Sequence, residues 1–230
     1  MSAFTVLITG ANRGLGLEFA KQYATEGWRV LACCRQPQSA IALQALAAAH
    51  HNVQIFSLDV SDFKQIETLA STLHDTPIDV LINNAGVYPE SSFGDSDETA
   101  WAHAFKVNSM APLKMAEAFV THLSKSQLKK IATLSSKMGS IDDTTSGESY
   151  IYRTSKCAVN MVMKNLSIDL KPYGISVVTL HPGWVRTEMG GPNGLIDAPE
   201  SAAGLRTVIA LLNLGNSGKF IAFDGKEIAW

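Results

Sequence analysis

The chain has 230 residues, 46% of them hydrophobic and 17% charged, with a net charge of −2. That composition can bury a sizeable core and excludes a disordered chain; with its cations scattered, it also lacks the footprint of a nucleic-acid binder or a membrane-surface helix, so the expected partner is a small molecule. Three cysteines, of which Cys33 and Cys34 are adjacent, and six histidines show neither disulfide nor metal-ligand spacing, so no metal site is expected.

The N-terminal apolar run "AFTVLIT" is shorter than a membrane span and lacks a charged leader, and no other stretch approaches about 18 apolar residues, so a cytoplasmic protein is expected. Short apolar runs then recur at wide intervals: 5–9, 29–33, 53–58, 79–83, 130–135, 175–180 and 219–223. They are β-branched and continuous rather than alternating, as strands buried on both faces are. Between them lie helical patterns such as "LGLEFAKQYATEG", closed by Gly27, and "SDFKQIETLASTLH". "DAPE" at 197–200 reads as the cap of a last helix, with Asp197 at its start and Glu200 three residues on. Alternation of strand and helix along the whole chain predicts an α/β fold, a parallel sheet with helices on both faces, in one domain over 1–230. The Gly- and Pro-rich segment at about 183–198 follows a strand and reads as a binding loop.

"TGANRGLG" follows the first strand and opens the first helix. Gly10, Gly14 and Gly16, with Asn12, Arg13 and Leu15 between them, form a turn whose backbone can approach a pyrophosphate held by the amides and dipole of the helix N-terminus. The G-K-[ST] of a nucleotide-hydrolysing loop is missing. A site for NAD supplies a carboxylate about 20 residues further on, yet no acidic residue occurs between Glu26 and Asp59. Arg35 ends the second strand instead. Two guanidiniums, Arg13 and Arg35, can clamp a 2′-phosphate, so NADP(H) is the expected cofactor rather than NAD.

In "YIYRTSK", helical spacing puts Tyr152 and Lys156 about 40° apart on one face, whereas Tyr150 and Lys156 stand about 120° apart. Only Tyr152 can share a site with the lysine. An ammonium about 4 Å away at an effective dielectric near 20 favours the phenolate by roughly 4 kcal/mol. That is roughly three pKa units, so the phenol is expected to come toward neutrality.

With "TGANRGLG", "NNAG" at 83–86, Tyr152 and Lys156 in "YRTSK", and "HPGWVRT" at 181–187, the chain resembles the short-chain dehydrogenase/reductase family. "HPGWVRTEMGGPNG" and "FIAFDGKEIAW" resemble its branch of C-factor and sniffer-type carbonyl reductases. The resemblance implies a doubly wound seven-stranded Rossmann sheet, with NADP(H) across the carboxyl ends of the strands. It also implies a catalytic set of Asn108, Ser136, Tyr152 and Lys156. Asp59 and Val60 would lie near the adenine, Asn83, Ala85 and Gly86 along the adenosine ribose, and Pro182, Gly183, Val185 and Thr187 at the nicotinamide end. Lys156 would also reach the nicotinamide ribose, and Asn108 would hold a water that links Lys156 to solvent. Ser136 precedes Tyr152 by more residues than is common, through "DDTTSGES", which makes Ser135 the fallback. Tyr88, Tyr150, Trp184 and Met189 are candidates for an apolar pocket wall. Homodimers or homotetramers would form through helices near 99–125 and 151–171.

The activity so implied is reduction of a ketone, aldehyde or quinone with NADPH, with Tyr152 as general acid in reduction and base in oxidation. The alternative is an NADP-binding signalling or regulatory protein of the C-factor type with weak or incidental catalysis.

Overall fold

The computed structural model describes residues 4–230. All seven apolar runs form strands of one sheet: β1 (Thr5–Thr9), β2 (Arg29–Cys34), β3 (Val53–Ser57), β4 (Val80–Asn83), β5 (Lys130–Leu134), β6 (Ser176–His181) and, last in the chain, β9 (Lys219–Ala222). Their order is β3-β2-β1-β4-β5-β6-β9 and every pair is parallel. The order reverses direction between β1 and β4, and in doubly wound sheets ligands lie in the crevice outside the carboxyl ends at that point.

Helices cover both faces because both faces are apolar. Residues of one pleat, such as Val6, Ile8, Val30 and Ala32, pack with Phe19 and Tyr23 of α1 (Gly14–Thr25), Leu43 of α2 (Ile41–Ala49) and Leu205 of α7 (Ala198–Leu211). Their alternates Leu7, Leu31, Leu81 and Ile131 pack with Ile66 of α3 (Phe63–Thr72), Phe119 of α5 (Ala111–Ser124) and Val159 of α6 (Tyr150–Asp169). Each fully buried Leu, Ile or Phe contributes about 1.5–3 kcal/mol. Cys33 and Cys34 fall on opposite faces of the sheet and are free thiols, as the strand period of two requires.

Local signals behave unevenly. Gly27, at φ +79°, closes α1 with its N–H on the Ala24 carbonyl at 3.0 Å, and Asp62 caps α3 by accepting from the Lys64 N–H at 3.1 Å. Asp197 does stand before α7, but its carboxylate makes no cap bond. It accepts from Arg186 Nε at 2.6 Å instead, because a guanidinium competes well with a backbone amide for a carboxylate. The long helix read near 99–125 is interrupted: α4 (Glu98–Phe105) passes through a π-helical turn, Lys106–Met110, into α5. Pro112 has no N–H and so denies the carbonyl of Asn108 its ordinary partner four residues on. Among the described residues no helix is long and apolar enough to cross a membrane, and no group of three or more His, Cys, Asp or Glu could hold a metal ion.

Candidate active site

A cavity of about 450 Å³ opens at the carboxyl ends of β1, β2, β4, β5 and β6. Its floor is the glycine turn. Gly10 has φ +66°, and a Cβ on Gly16 would stand 2.2 Å from the Gly10 carbonyl oxygen, so the turn closes onto the helix only without side chains there. Asn84 braces it from β4, with Nδ2 donating to the carbonyls of Thr9 at 2.9 Å and Gly10 at 3.1 Å. Thr9 Oγ1 in turn accepts the N–H groups of Asn84 and Ala85 at 3.0 and 3.1 Å.

Gly10, Asn12, Arg13, Gly14, Leu15 and Gly16 line this cavity together with Arg35, Asp59, Val60, Ala85, Gly86, Tyr152, Lys156, Pro182 and Thr187. Five residues expected at the site do not: Asn108 and Ser136, which stand just behind the wall, and Asn83, Gly183 and Val185. Asn83 is buried beside β5, its Nδ2 on Thr133 Oγ1 at 3.1 Å, because as the last residue of β4 it points into the sheet's packing; Asn84, one residue on, takes the cavity position. Gly183 packs against Phe223 and Ile196. Val185 is buried in a two-residue parallel ladder between β7 (Val185–Arg186) and β8 (Ile196–Asp197). The binding loop therefore carries its own small sheet, too short to leave any periodicity in sequence.

At the far end of the cavity, Tyr152 is 8% exposed while Tyr150 is 38% exposed and outside the lining. Tyr88 lies against Tyr152 with ring centroids 4.3 Å apart, its hydroxyl 2.8 Å from Ser149 Oγ. Burial pushes the Tyr152 phenol up to about 12, with a hydrogen bond from Ser136 acting to lower it and Tyr88 acting to raise it. The lowering expected from Lys156 does not operate in this arrangement. Its Nζ donates to the carbonyl of Leu134 at 2.8 Å and lies 5.7 Å from the Tyr152 ring centre. Burial lowers Lys156 itself to about 8, so the ammonium persists at neutral pH.

The two serines divide. Ser135 borders the cavity, but its hydroxyl turns into α6, donating to Asn160 Oδ1 at 2.6 Å. Ser136 begins a 3-10 turn (Lys137–Gly139), its Oγ accepting the Met138 N–H at 3.2 Å while it also serves the Tyr152 phenol. Asn108 sits in the π turn with its side chain fully engaged: Oδ1 accepts from the Val87 N–H, and Nδ2 donates to the Val87 carbonyl and to Ser155 Oγ, each at 2.9 Å. Its main-chain carbonyl lacks the i+4 donor, since Pro112 has no N–H. Trp184 is exposed and ties Gly190 through its indole N–H at 2.7 Å, and Met189 lines the cavity. Val87 and His103, which carry no motif, also line it, as do Arg186 and Glu188 of "HPGWVRTEMGGPNG". His181 is pushed down to about 4 by burial and accepts the Lys137 N–H at 3.2 Å, a packed strand end rather than a ligand.

The same chain stands among known proteins as its geometry suggests. It is 41% identical over 166 residues, 72% of this chain and all of the other, to "C-signal" of Myxococcus xanthus. Its fold superposes on the carbonyl reductase Sniffer of D. melanogaster with TM-score 0.93 and 34% identity, covering both chains fully. It does so equally on the NADPH-bound carbonyl reductase from chicken fatty liver, with TM-score 0.94 and 34% identity over 100% of each chain. The family model for short chain dehydrogenases matches residues 4–194, a span that takes in the glycine turn, Tyr152, Lys156 and the loop after β6, and the chain belongs to that family.

Proposed function

We propose that the protein reduces a ketone, aldehyde or quinone with NADPH, Tyr152 serving as general acid. The observation that carries this reading is convergence: the phenol of Tyr152 and the ammonium of Lys156 line one end of a cavity whose other end is a glycine turn flanked by Arg13 and Arg35, and the hydroxyl of Ser136 bonds that phenol from just outside the lining. The residues fit a dinucleotide phosphate. The turn is bare where a Cβ would clash, and two guanidiniums stand at the cavity wall, Arg35 beside Asp59 and Arg13 paired with Glu188. Asn84, Ala85 and Gly86 would follow the ribose, and Pro182 and Thr187 the nicotinamide end. NADPH supplies the hydride when bound; the protein supplies the proton.

A phenol held at about 12 keeps its proton at neutral pH. It gives that proton downhill only to an oxygen more basic than itself, which a developing alkoxide is and a carbonyl is not. Ser136, bonded to the phenol, would turn its one O–H to the same oxygen when substrate is bound and stabilise the growing charge. Lys156 has spent one N–H on Leu134; its others would reach the ribose. The main-chain carbonyl of Asn108, deprived of its i+4 donor by Pro112, would hold the water that returns a proton through Lys156.

The test is NADPH oxidation against a panel of aldehydes, ketones, diketones and quinones, with NADH alongside. Tyr152→Phe should lower turnover by about 10²–10⁴-fold and leave NADPH affinity within about twofold; a variant as active as its parent would remove the phenol from the mechanism. The match to C-signal favours a second reading, an NADP-binding signalling or regulatory protein. Tight NADPH binding without turnover on any panel member would select it.

The partner is thus a small molecule, and self-association is proposed through α4, α5 and α6. Met161 and Ile168, seven apart on one face of α6, are both exposed. A single monomeric species at micromolar concentration in sedimentation would overturn that pairing.

A further inference from the structure

The stretch between Ser136 and Tyr152 is held by a residue that lies some ninety positions further along the chain. After β9 the backbone reverses at Asp224 and Gly225 and returns along the strand, the Ile228 N–H reaching the Phe220 carbonyl at 2.8 Å. This brings the indole of Trp230 into a stack on Phe220, with centroids 5.6 Å apart and planes at 23°. The carbonyl oxygen of Trp230 then accepts three hydrogen bonds from one short segment: the N–H of Ile141 at 2.9 Å, the N–H of Asp142 at 3.2 Å and the hydroxyl of Ser140 at 3.1 Å.

Those donors end the turn that Ser136 begins. Ser136 accepts the Met138 N–H on its hydroxyl at 3.2 Å and the Gly139 N–H on its carbonyl at 2.8 Å. Gly139 lies directly on α6, where a Cβ would stand 2.7 Å from the Lys156 carbonyl carbon, and its own carbonyl takes Asn160 Nδ2 at 3.2 Å. Ser140 is 1% exposed. Beyond it, residues 141–148 are exposed, and the ties there, Lys137 to Asp143 at 2.9 Å and Arg153 to Ser146 at 3.1 Å, are between exposed groups that stabilise little. The added length of "DDTTSGES" thus folds outward; Ser140 is held locally by Thr144 Oγ1 on its carbonyl at 2.6 Å and by the Asp143 N–H on its hydroxyl at 3.1 Å, and it is tied to the rest of the fold through the Trp230 carbonyl.

We propose that Trp230 is a positioning residue for Ser136: its carbonyl fixes the far end of the Ser136–Ser140 turn, and its stack on Phe220 fixes the carbonyl. The proposal rests on the reading of Ser136 as donor to the substrate oxygen. Its test begins without substrate, by site-resolved amide exchange on the full chain and on the chain lacking Trp230, with thermal midpoints confirming that both are folded. Exchange at Met138 and Gly139, whose amides are bonded to Ser136, should quicken by about tenfold or more along with Ile141 and Asp142; quickening confined to Ile141 and Asp142 overturns the proposal.

A double-mutant cycle in turnover completes it. Removing Trp230 should lower kcat by about tenfold in the parent and by less than about twofold in Ser136→Ala, since an effect routed through Ser136 vanishes with it. Trp230→Phe, which keeps the stack, should restore the parent rate. Equal losses in both backgrounds overturn the positioning role. Ser136→Ala as active as the parent brings down the reading of Ser136 itself, a different failure from equal losses.

Discussion

The two ends of β5 carry the same buried group in opposite surroundings. At the amino end, Lys130 opens the strand and donates to the carbonyls of Ile209 and Ala210 at 2.9 and 2.8 Å, capping the last turn of α7. A cation there meets the negative pole of the helix. At the carboxyl end, Lys156 donates to the carbonyl of Leu134, the last residue of the same strand, and to no other atom of the described residues. Burial lowers both lysines. The amino edge of the sheet is closed further by Asp79, whose carboxylate accepts the N–H groups of Thr5, Gln127 and Leu128 at 2.9, 3.1 and 3.2 Å. One edge spends its polar groups on the fold, and the other keeps them facing a cavity. What separates the two buried lysines is therefore the number of donors that the fold has already used.

The sharpest way to break this contrast is at the paired serines. Ser136→Ala should lower kcat by about 10²-fold, the cost of an oxyanion donor, with stability nearly unchanged. Ser135→Ala should do the reverse, costing about 1–3 kcal/mol by leaving Asn160 Oδ1 buried without its donor and leaving turnover within about threefold. Exchanged phenotypes in steady-state kinetics and denaturant unfolding would mean the two hydroxyls have been assigned the wrong way round. Arg35→Asp should move preference from NADPH toward NADH by about tenfold or more, a lost charged pair being roughly 1.5–3 kcal/mol; an unchanged kcat/KM ratio would mean that the arginine reads no phosphate.

Smaller effects separate the lysines. Lys130→Met should cost about 1–3 kcal/mol by stranding two helix carbonyls while turnover stays within about twofold. For Lys156, the folded group titrates at about 8 and the unfolded one near 10.4, so between those values the unfolded chain binds more protons and stability rises with pH. Between pH 8 and 9 the parent should gain about 1 kcal/mol relative to Lys156→Met. A parallel pH dependence of the two proteins in urea melts would place the Lys156 pKa near that of a free lysine.

Much of the sheet was legible because strands buried on both faces need continuous β-branched runs, and all seven were found. The glycine turn and the choice of Tyr152 over Tyr150 were equally readable, since both follow from helix and turn geometry that neighbours do not alter. What escaped depended on contacts distant in sequence. The "DAPE" pattern carries no trace of Arg186, which takes the Asp197 carboxylate, and in "NNAG" nothing local tells Asn83, which turns into the sheet, from Asn84, which lines the cavity. Helical spacing shows the charge near the Tyr152 phenol but not the burial that outweighs it. Its burial comes from Tyr88 and the cavity walls, which no local pattern announces. The π turn left one signal, Pro112 four residues after Asn108, that could have been used.

The small ladder of β7 and β8 has a consequence for how such a chain can change. It brings Val185 beside Ile196 and Arg186 beside Asp197, and the Trp184 carbonyl accepts the Leu195 and Ile196 N–H groups at 2.7 and 3.2 Å. Entry and exit of the intervening segment are therefore stitched side by side, with the sheet before and α7 behind. Residues 188–195 thus leave and rejoin the frame at one point, and the pocket wall they form can vary while Gly190 and Gly194 stay fixed, since a Cβ there would stand 2.1 Å from the Val185 carbonyl oxygen and 2.5 Å from the Arg186 nitrogen.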